Sequence, residues 1–233
     1  MKPVALKNTT QQRVATWIGF SLGLATMTAQ FFIDLSLQTA AGDNFGQFLV
    51  YFFGFLTNLS NIWLVFIYAA FLFSTASLTP WFSKKLKIFQ DARLIVAALS
   101  MMLIVTLVYH FILLPDLGPA TGWDAYTDPI KHYVATSLFL FWWLLHVPRG
   151  TIGFSDLPIM ILPALGYLIY VFVRGTLINA YPYSVIDVTI LGYGPALAYA
   201  AGVIASFLVI CVLLVLIDKA VTLLPIQVPK NNS

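Results

Sequence analysis

The sequence has few charged residues and no glutamate. Only 9% of its 233 residues are charged, whereas soluble domains carry roughly a quarter. So few charges cannot cover a surface that faces water. Without glutamate, the sequence offers few residues for the ion pairs that cover the outer faces of soluble helical bundles. Because 60% of the residues are hydrophobic, we expect helices whose surfaces face lipid.

Cysteine is also scarce, and familiar catalytic motifs are missing. Cys211 is the only cysteine and lies in the apolar run 202–217, which excludes a disulfide or a CxxC zinc site within the chain. There is no GxSxG, HExxH or phosphate-loop motif and no metal-ligand spacing. No lysine lies in a membrane run to hold retinal, and a net charge of +3 is too small to indicate nucleic acid. We predict no metal, no cofactor and no nucleic-acid partner.

Six apolar runs are separated by breaks rich in proline, glycine and aspartate. Crossing a hydrocarbon core of about 30 Å takes roughly 20 apolar residues, and only a segment that satisfies its own backbone hydrogen bonds can cross it. The sequence therefore predicts an all-α polytopic membrane protein, with one membrane domain over 1–233 and six transmembrane helices. The predicted helices are 14–37, 45–74, 93–114, 130–147, 157–173 and 195–217.

The lysines and arginines set the orientation of these runs. Basic residues in short loops stay on the cytoplasmic side far more often than they cross the membrane. With the N-terminus inside, only Lys131 and Arg174 fall outside. The inside set is Lys2, Lys7, Arg13, Lys84, Lys85, Lys87, Arg93, Arg149, Lys219 and Lys230. We therefore predict that both termini are cytoplasmic.

The second run carries a cluster of polar side chains at bilayer depth. Thr57, Ser60 and Asn61 fall on one helix face by their spacing, and Asn58 flanks them. Polar groups at this depth cost free energy, so such a cluster is by default a candidate functional site. The alternative is that these side chains join helices through hydrogen bonds, each worth about 1 kcal/mol or less.

The fourth run begins with a histidine. Trp143 follows His132 by eleven residues on the same helix face and would line a substrate site there. Since the second and fourth runs both pass inward, His132 and Thr57 fall in the same outer half. A histidine beside a threonine hydroxyl is the minimum for nucleophilic attack on an acyl carbon, because the imidazole takes the hydroxyl proton. Asn58 or Asn61 would then donate to the oxyanion.

Further candidate residues lie near the predicted outer ends of the runs. His110, in the third run, would hydrogen-bond to the site or gate it. The outer loop 174–195 is rich in tyrosine, proline and glycine, which favours either a structured lid containing Tyr183 or a plain interfacial turn. Asp187 would orient a histidine, and Arg174 would pair with Asp187 or receive a carboxylate of the substrate.

Three of these features together are similar to a known family. The segment 55–61 (FLTNLSN), a histidine opening the fourth run, and Tyr181-Pro182-Tyr183 followed by Asp187 and Gly192-Tyr193 resemble bacterial relatives of the androgen-induced membrane hydrolase family. That family includes the androgen-dependent regulator of tissue factor pathway inhibitor. The resemblance in helix number and motif order runs from about the first predicted helix to the sixth.

This resemblance implies an intramembrane hydrolase of fatty acid esters of hydroxy fatty acids, placed in a bacterial inner membrane. Thr57 would be the nucleophile, His132 its base and Asp187 a supporting acid, with a membrane lipid or lipid ester as substrate, and the oligomeric state stays open. The chain departs from the family pattern at Thr136, where proline is usual, and at Trp142, where aspartate is usual. The rival hypothesis is a non-catalytic bundle that binds a lipid or transports a small solute.

Overall fold

The computed structural model describes residues 1–7, 9–73 and 85–223, and its regular elements there are helices. We number the α-helices in chain order: α1 Thr10–Ala40, α2 Phe45–Phe52, α3 Leu56–Phe73, α4 Ala92–Val108, α5 Leu114–Leu117, α6 Asp124–Pro129, α7 Ala135–His146, α8 Leu157–Ile178, α9 Val188–Leu191 and α10 Tyr193–Leu223. Short π-helical turns cover Tyr109–Leu113 and Ile130–Val134. The predicted end of the second run at Ser74, and the predicted inside residues Lys84 and Lys230, lie outside the described residues.

Five of the helical segments are long and apolar enough to cross a membrane: Thr10–Ala40, Leu56–Phe73, Ala92–Leu113, Phe154–Ile178 and Tyr193–Ala220. No strand is formed within the described ranges. The prediction of an all-α, multi-pass membrane protein is confirmed at this level. The first, fifth and sixth predicted helices are longer in the structure than in the sequence analysis, because their ends continue past the apolar runs that define them.

Helix α4 lies at the centre of the bundle, with α3, α7, α8 and α10 packed around it. All residues from Ile95 to Met102 are buried, including small ones such as Ala97 and Ser100 that let neighbouring helices come close. The thiol of Cys211 on α10 lies 3.2 Å from the Ser100 hydroxyl oxygen. The apolar core of the protein is thus built around a helix with almost no lipid-facing surface in this stretch.

Helix α1 packs against α3 through two glycines. A Cβ atom on Gly19 would lie 2.3 Å from the ring of Tyr68, and one on Gly23 would lie 3.0 Å from Val65. The absence of a side chain allows this approach, and the Tyr68 and Val65 side chains pack directly against the backbone of α1. This pairing fixes α3, and with it the start of α3, against α1.

The second predicted run, 45–74, is not one helix. The structure breaks it between α2 and α3, at residues 53–55. Gly54 sits in the break, where a Cβ would lie 3.0 Å from the guanidinium carbon of Arg174 and 3.0 Å from the carbonyl oxygen of Tyr51. The break places Thr57 in the first turn of α3 instead of in the middle of a long helix.

The fourth predicted run, 130–147, starts earlier than expected. Helical structure begins at α6, passes without interruption through the π turn Ile130–Val134 and continues as α7 to His146. Pro129 lies inside this helical stretch. Since proline has no N–H, the helical stretch lacks one backbone hydrogen bond directly before the π turn.

Acidic residues at one end of the bundle are buried and paired. Asp91 caps α4 and lies 2.7 Å from the guanidinium of Arg93, while the backbone N–H of Lys2 donates to it at 2.8 Å. Asp156 lies 2.6 Å from the Lys2 ammonium, and Asp218 accepts from the backbone N–H of residue 152 at 3.2 Å. These contacts join the N-terminal segment, α4, α8 and α10 at this end.

We expect the stability of the protein to fall at acidic pH partly through Asp91. Burial raises the pKa of this carboxyl group, but hydrogen bonds from Arg93 and Lys2 and the Arg93 charge outweigh it and lower the pKa from 3.8 to about 2. A lowered folded-state pKa stabilises the protein above the unfolded value, and this contribution is lost as the pH falls toward about 2. Asp91→Asn should lower stability near neutral pH by about 1–3 kcal/mol and flatten its acid dependence.

The measurement is the thermal midpoint in detergent between about pH 7 and pH 3. Asp43→Asn is the control, because no hydrogen bond or ion pair to the Asp43 carboxylate is formed within the described residues. Parallel curves for the wild type and Asp91→Asn would contradict this account of the cap.

Candidate active site

Thr57 and His132 meet in the interior of the bundle. The Thr57 hydroxyl oxygen lies 3.3 Å from His132 Nε2, which is within reach for proton transfer, if at the long end of hydrogen-bond distances. Both side chains are buried, at 7% and 5% exposed. Thr57 comes from the first turn of α3 and His132 from the π turn before α7, so two segments far apart in sequence supply the pair.

The surroundings of the imidazole define which nitrogen carries the proton. His132 Nδ1 lies 3.0 Å from the backbone carbonyl oxygen of Asp128 and 3.3 Å from its carboxylate. Both partners are acceptors, so Nδ1 must be the N–H nitrogen. In the neutral imidazole, Nε2 is then unprotonated and directs its lone pair at the Thr57 hydroxyl.

Asp128 and Tyr109 hold the histidine in place. The Tyr109 hydroxyl donates a hydrogen bond to the Asp128 carboxylate, and the Lys131 ammonium lies 3.1 Å from the same carboxylate. The Tyr109 ring stacks on the His132 ring with 3.7 Å between centroids and 9° between planes. The imidazole is therefore restrained in its plane by Asp128 and across its face by Tyr109.

The supporting acid predicted from the sequence, Asp187, is wrong. Its carboxylate accepts from the backbone N–H of Thr189 at 2.8 Å and from the Thr189 hydroxyl, and it caps the short helix α9. The acid beside His132 is Asp128, one turn earlier on the same helical stretch. The spacing of four residues between Asp128 and His132 is the sequence signal that would have found it.

Hydroxyl groups from two other segments satisfy the break before Thr57. The Tyr167 hydroxyl donates to the carbonyl of Gly54 at 2.9 Å, and the backbone N–H of Leu56 donates to the Tyr183 hydroxyl at 2.9 Å. The Tyr183 hydroxyl also interacts with Thr57. Thr57 thus lies at the N-terminus of α3, where the helix dipole favours negative charge.

The asparagines and the serine of the polar cluster have separate roles. Asn61 donates to the carbonyl oxygens of Thr57 and Lys131, at 2.9 and 3.1 Å, so both amide hydrogens are used and Asn61 fastens α3 to the π turn. Ser60 also donates to the Thr57 carbonyl, at 3.1 Å. Asn58 donates one hydrogen to the last carbonyl of α2 at 2.9 Å and lines the cavity beside Thr57. Of the predicted oxyanion donors, Asn58 alone keeps a hydrogen for a ligand.

The two residues that depart from the family pattern, Thr136 and Trp142, both form hydrogen bonds inside the bundle. Thr136 donates to the backbone carbonyl of His132 at 3.3 Å, and Thr106 donates to the same carbonyl. These bonds join α4 and α7 to the π turn at His132. Trp142 is buried and its indole N–H donates to the Thr16 hydroxyl at 2.9 Å. Trp142 therefore joins α7 to α1 and does not touch Thr57.

Three predicted substrate residues lie away from the pair. His110 is exposed and its Nδ1 lies 3.1 Å from the Tyr133 hydroxyl. Arg174 donates to two backbone carbonyls at 3.0 and 3.1 Å and forms no ion pair with Asp187. Trp143 is buried under the guanidinium of Arg149, 4.1 Å from the ring. None of the three lines the cavities beside Thr57, so these predictions are wrong.

Two cavities of different character meet at Thr57. A polar cavity of about 540 Å³ contains Asp34, Asn58 and His132 in its lining. An apolar cavity of about 70 Å³ lies between α3, α4, α8 and α10. Thr57, Tyr109 and Tyr183 border both cavities. Of the predicted substrate residues, Tyr183 is the one that the structure places at the site.

Comparisons with known proteins assign the chain to no family. No protein-family model, no curated protein and no solved structure matches it. The resemblance to the membrane hydrolase family rests on the sequence motifs alone, and the function has to be argued from the contacts at Thr57 and His132.

We expect Tyr183→Phe to destabilise the protein, since it leaves the buried N–H of Leu56 without an acceptor. The cost should be about 1–2 kcal/mol, read as a lower thermal midpoint in detergent. Tyr181→Phe is the matched control: the Tyr181 hydroxyl is buried and has no hydrogen-bond partner within the described part of the chain. Its removal should leave the midpoint unchanged or raise it. Equal losses in the two variants would argue against the role of Tyr183 at the break.

Proposed function

We propose that the chain is an intramembrane hydrolase of lipid esters, with Thr57 as nucleophile and His132 as general base. The observation that carries the proposal is the buried contact of 3.3 Å between the Thr57 hydroxyl oxygen and His132 Nε2, beside a cavity large enough for a ligand group. The sequence resemblance to the androgen-induced membrane hydrolases supports the same chemistry. It also suggests fatty acid esters of hydroxy fatty acids as the substrate class.

The proposal includes six transmembrane helices with both termini on the cytoplasmic side of a bacterial inner membrane. In addition to the five long apolar helices, the continuous helical stretch from α6 to α7 would cross the membrane, as the fourth span in chain order. Two observations support this topology: the buried ion pairs of Lys2 and Arg93 lie together at one end of the bundle, and the site with Lys131 lies at the other end of α4. By the positive-inside rule, the site then belongs to the outer half.

In the first half of the reaction, Thr57 is acylated. Its hydroxyl oxygen attacks the ester carbonyl carbon, its proton passes to His132 Nε2, and the carbonyl electron pair moves onto oxygen. When the tetrahedral intermediate collapses, the bond to the alcohol oxygen breaks. The proton on Nε2 goes to that oxygen, and the alcohol leaves with the acyl group bound to Thr57 as an ester.

In the second half, water releases the acyl group. A water molecule attacks the new carbonyl and gives its proton to His132 Nε2, and the Thr57 oxygen then leaves and takes that proton back. The fatty acid departs. The Asn58 amide and the N-terminus of α3 face the region where negative charge develops on oxygen, and such preoriented dipoles stabilise the transition state.

The apolar cavity and the polar cavity suit different parts of the reaction. The first carbons of an acyl chain fit the apolar cavity, whose lining includes Val105, Ala164 and Phe207. The attacking water fits the polar cavity, which contains Asp34 and Lys131. An ester whose acyl chain begins in the apolar cavity would place its carbonyl carbon at Thr57, one of the residues that border both cavities.

The rival function is a bundle that binds a lipid without reacting with it. The apolar cavity also supports lipid binding, but such a function needs no contact between Thr57 and His132 and no acid behind the histidine. The two hypotheses predict different effects of removing the Thr57 hydroxyl oxygen, and that difference can be measured.

We expect Thr57→Ala and His132→Ala to abolish labelling by a fluorophosphonate probe in detergent and to reduce ester hydrolysis by about 10²-fold or more. Thr176→Ala is the control, since its hydroxyl is exposed and bonds only to the carbonyl of Val173. Labelling that persists in Thr57→Ala with an unchanged thermal midpoint would defeat the enzyme hypothesis and leave lipid binding as the function.

We expect Asp128→Asn to act through the histidine. An amide can donate to Nδ1 and favour the tautomer with the proton on Nε2, so kcat should fall by about 10²-fold or more while KM stays near the wild-type value. Fluorophosphonate labelling should become slower without being lost. A kcat within about twofold of the wild type would assign Asp128 a structural role.

A further inference from the structure

A groove lies on the membrane-facing side of the bundle between α4 and α10. Its volume is about 630 Å³ and its lining is almost wholly apolar. The lining includes Leu107, Phe111, Pro195, Ala198, Gly202 and Ser206. Helices α4 and α10 both belong to the set long and apolar enough to cross a membrane, so the medium that fills this groove is the acyl region of the bilayer.

The groove and the apolar cavity share one wall. Ile104, Val108 and Val203 line both spaces. The apolar cavity in turn reaches Thr57. The wall that the groove and the apolar cavity share is thus made of side chains without polar atoms.

Helix α10 presents small side chains along this groove. Ala198, Gly202 and Ser206 are spaced by four residues and lie on one helix face. A Cβ atom on Gly202 would meet no atom within 4 Å. The small residues here are not used for close helix packing, as Gly19 is on α1, and they leave open space beside α4.

The other way to Thr57 is unsuited to a hydrocarbon chain. The polar cavity contains the carboxylates of Asp34, Asp124 and Asp128 and the ammonium of Lys131. Passing an acyl chain by that route would bring it out of the bilayer and strip water from charged groups. A chain that moves sideways from the bilayer into the apolar cavity exchanges one hydrocarbon surrounding for another.

We propose that the acyl chain of the substrate enters from the bilayer between α4 and α10, past Gly202, with its ester at Thr57, its first carbons in the apolar cavity and the rest of the chain in the groove. This inference rests on the proposed hydrolase function and adds the route and the position of the chain. The occupant is the single acyl chain of an ester resident in the membrane.

The test compares Gly202→Phe with Gly166→Phe. Gly166 is exposed on α8, lines neither cavity nor the groove, and also has no atom within 4 Å of a built Cβ. The probes are the p-nitrophenyl esters of hexadecanoic and acetic acid, given to the protein in vesicles of phosphatidylcholine. Gly202→Phe should lower kcat/KM for the long ester by about tenfold or more and leave the acetate unchanged. Gly166→Phe should change neither.

A second measurement does not need turnover. A hexadecanoyl lipid carrying a diazirine on one of the chain carbons nearest the ester is photolysed in the vesicles, and labelled residues are identified by mass spectrometry. Label on cavity residues such as Met101 and Phe207 should be lost in Gly202→Phe and kept in Gly166→Phe. Ala198→Leu provides a second blocking variant if Gly202→Phe has a lowered thermal midpoint.

The outcomes separate the two proposals. A wild type that hydrolyses neither ester but shows label in the cavity refutes the hydrolase and keeps the route as that of a bound lipid. Cavity label that is unchanged by both blocking variants, or equal losses for the two esters, overturns the route while the hydrolase stands on its own test.

Discussion

The site depends on satisfying backbone groups that leave regular helical pairing inside a dry interior. In hydrocarbon, an unpaired N–H or carbonyl costs several kcal/mol, so a helix can break there only where other side chains take over. Tyr167 and Tyr183 do this at the break before α3. At the π turn, Thr106 and Thr136 donate to the carbonyl of His132. These residues hold the two turns that bring Thr57 and His132 together.

Buried aspartates lie at both ends of the bundle and have different roles there. At one end of the bundle, Asp91, Asp156 and Asp218 each accept from a backbone N–H group, and Asp91 and Asp156 also accept from basic side chains, which joins segments that the apolar core alone would hold less specifically. At the other end, Asp128 is bonded to Tyr109 and Lys131 and directs His132. Buried carboxylates stabilise the architecture at the first end and orient a reactive group at the second.

Hydropathy and spacing predict much of this arrangement. Long apolar runs are enough to locate the membrane helices, because the requirement for roughly 20 apolar residues is a property of the bilayer and not of neighbouring helices. Two helices that pass in the same direction allow Thr57 and His132 to meet, and the family resemblance is what singles out these two residues. The break at Gly54 cannot be predicted in this way, because the sequence Phe-Gly-Phe is as apolar as the helix around it. The tyrosines that permit the break come from later segments of the chain.

The π turn explains another error. Placing Trp143 on the face of His132 assumes a regular α-helix with about 100° per residue. A π turn adds a residue to one turn, so the side chains after it are rotated relative to that expectation, and Trp143 points to Arg149 instead. Asp128 lies before the turn. An aspartate near a predicted membrane surface has an ordinary explanation in water, so only its four-residue spacing from His132 indicates its role.

The central position of α4 gives the single thiol a further use. Cys211 is fully buried against Ser100 on that helix, and the sequence has no other sulfhydryl group. Alkylation by a water-soluble maleimide therefore requires the bundle to open, so the rate of modification in intact vesicles reports spontaneous unfolding within the bilayer. The native cysteine therefore allows kinetic stability to be measured without detergent and without an engineered label.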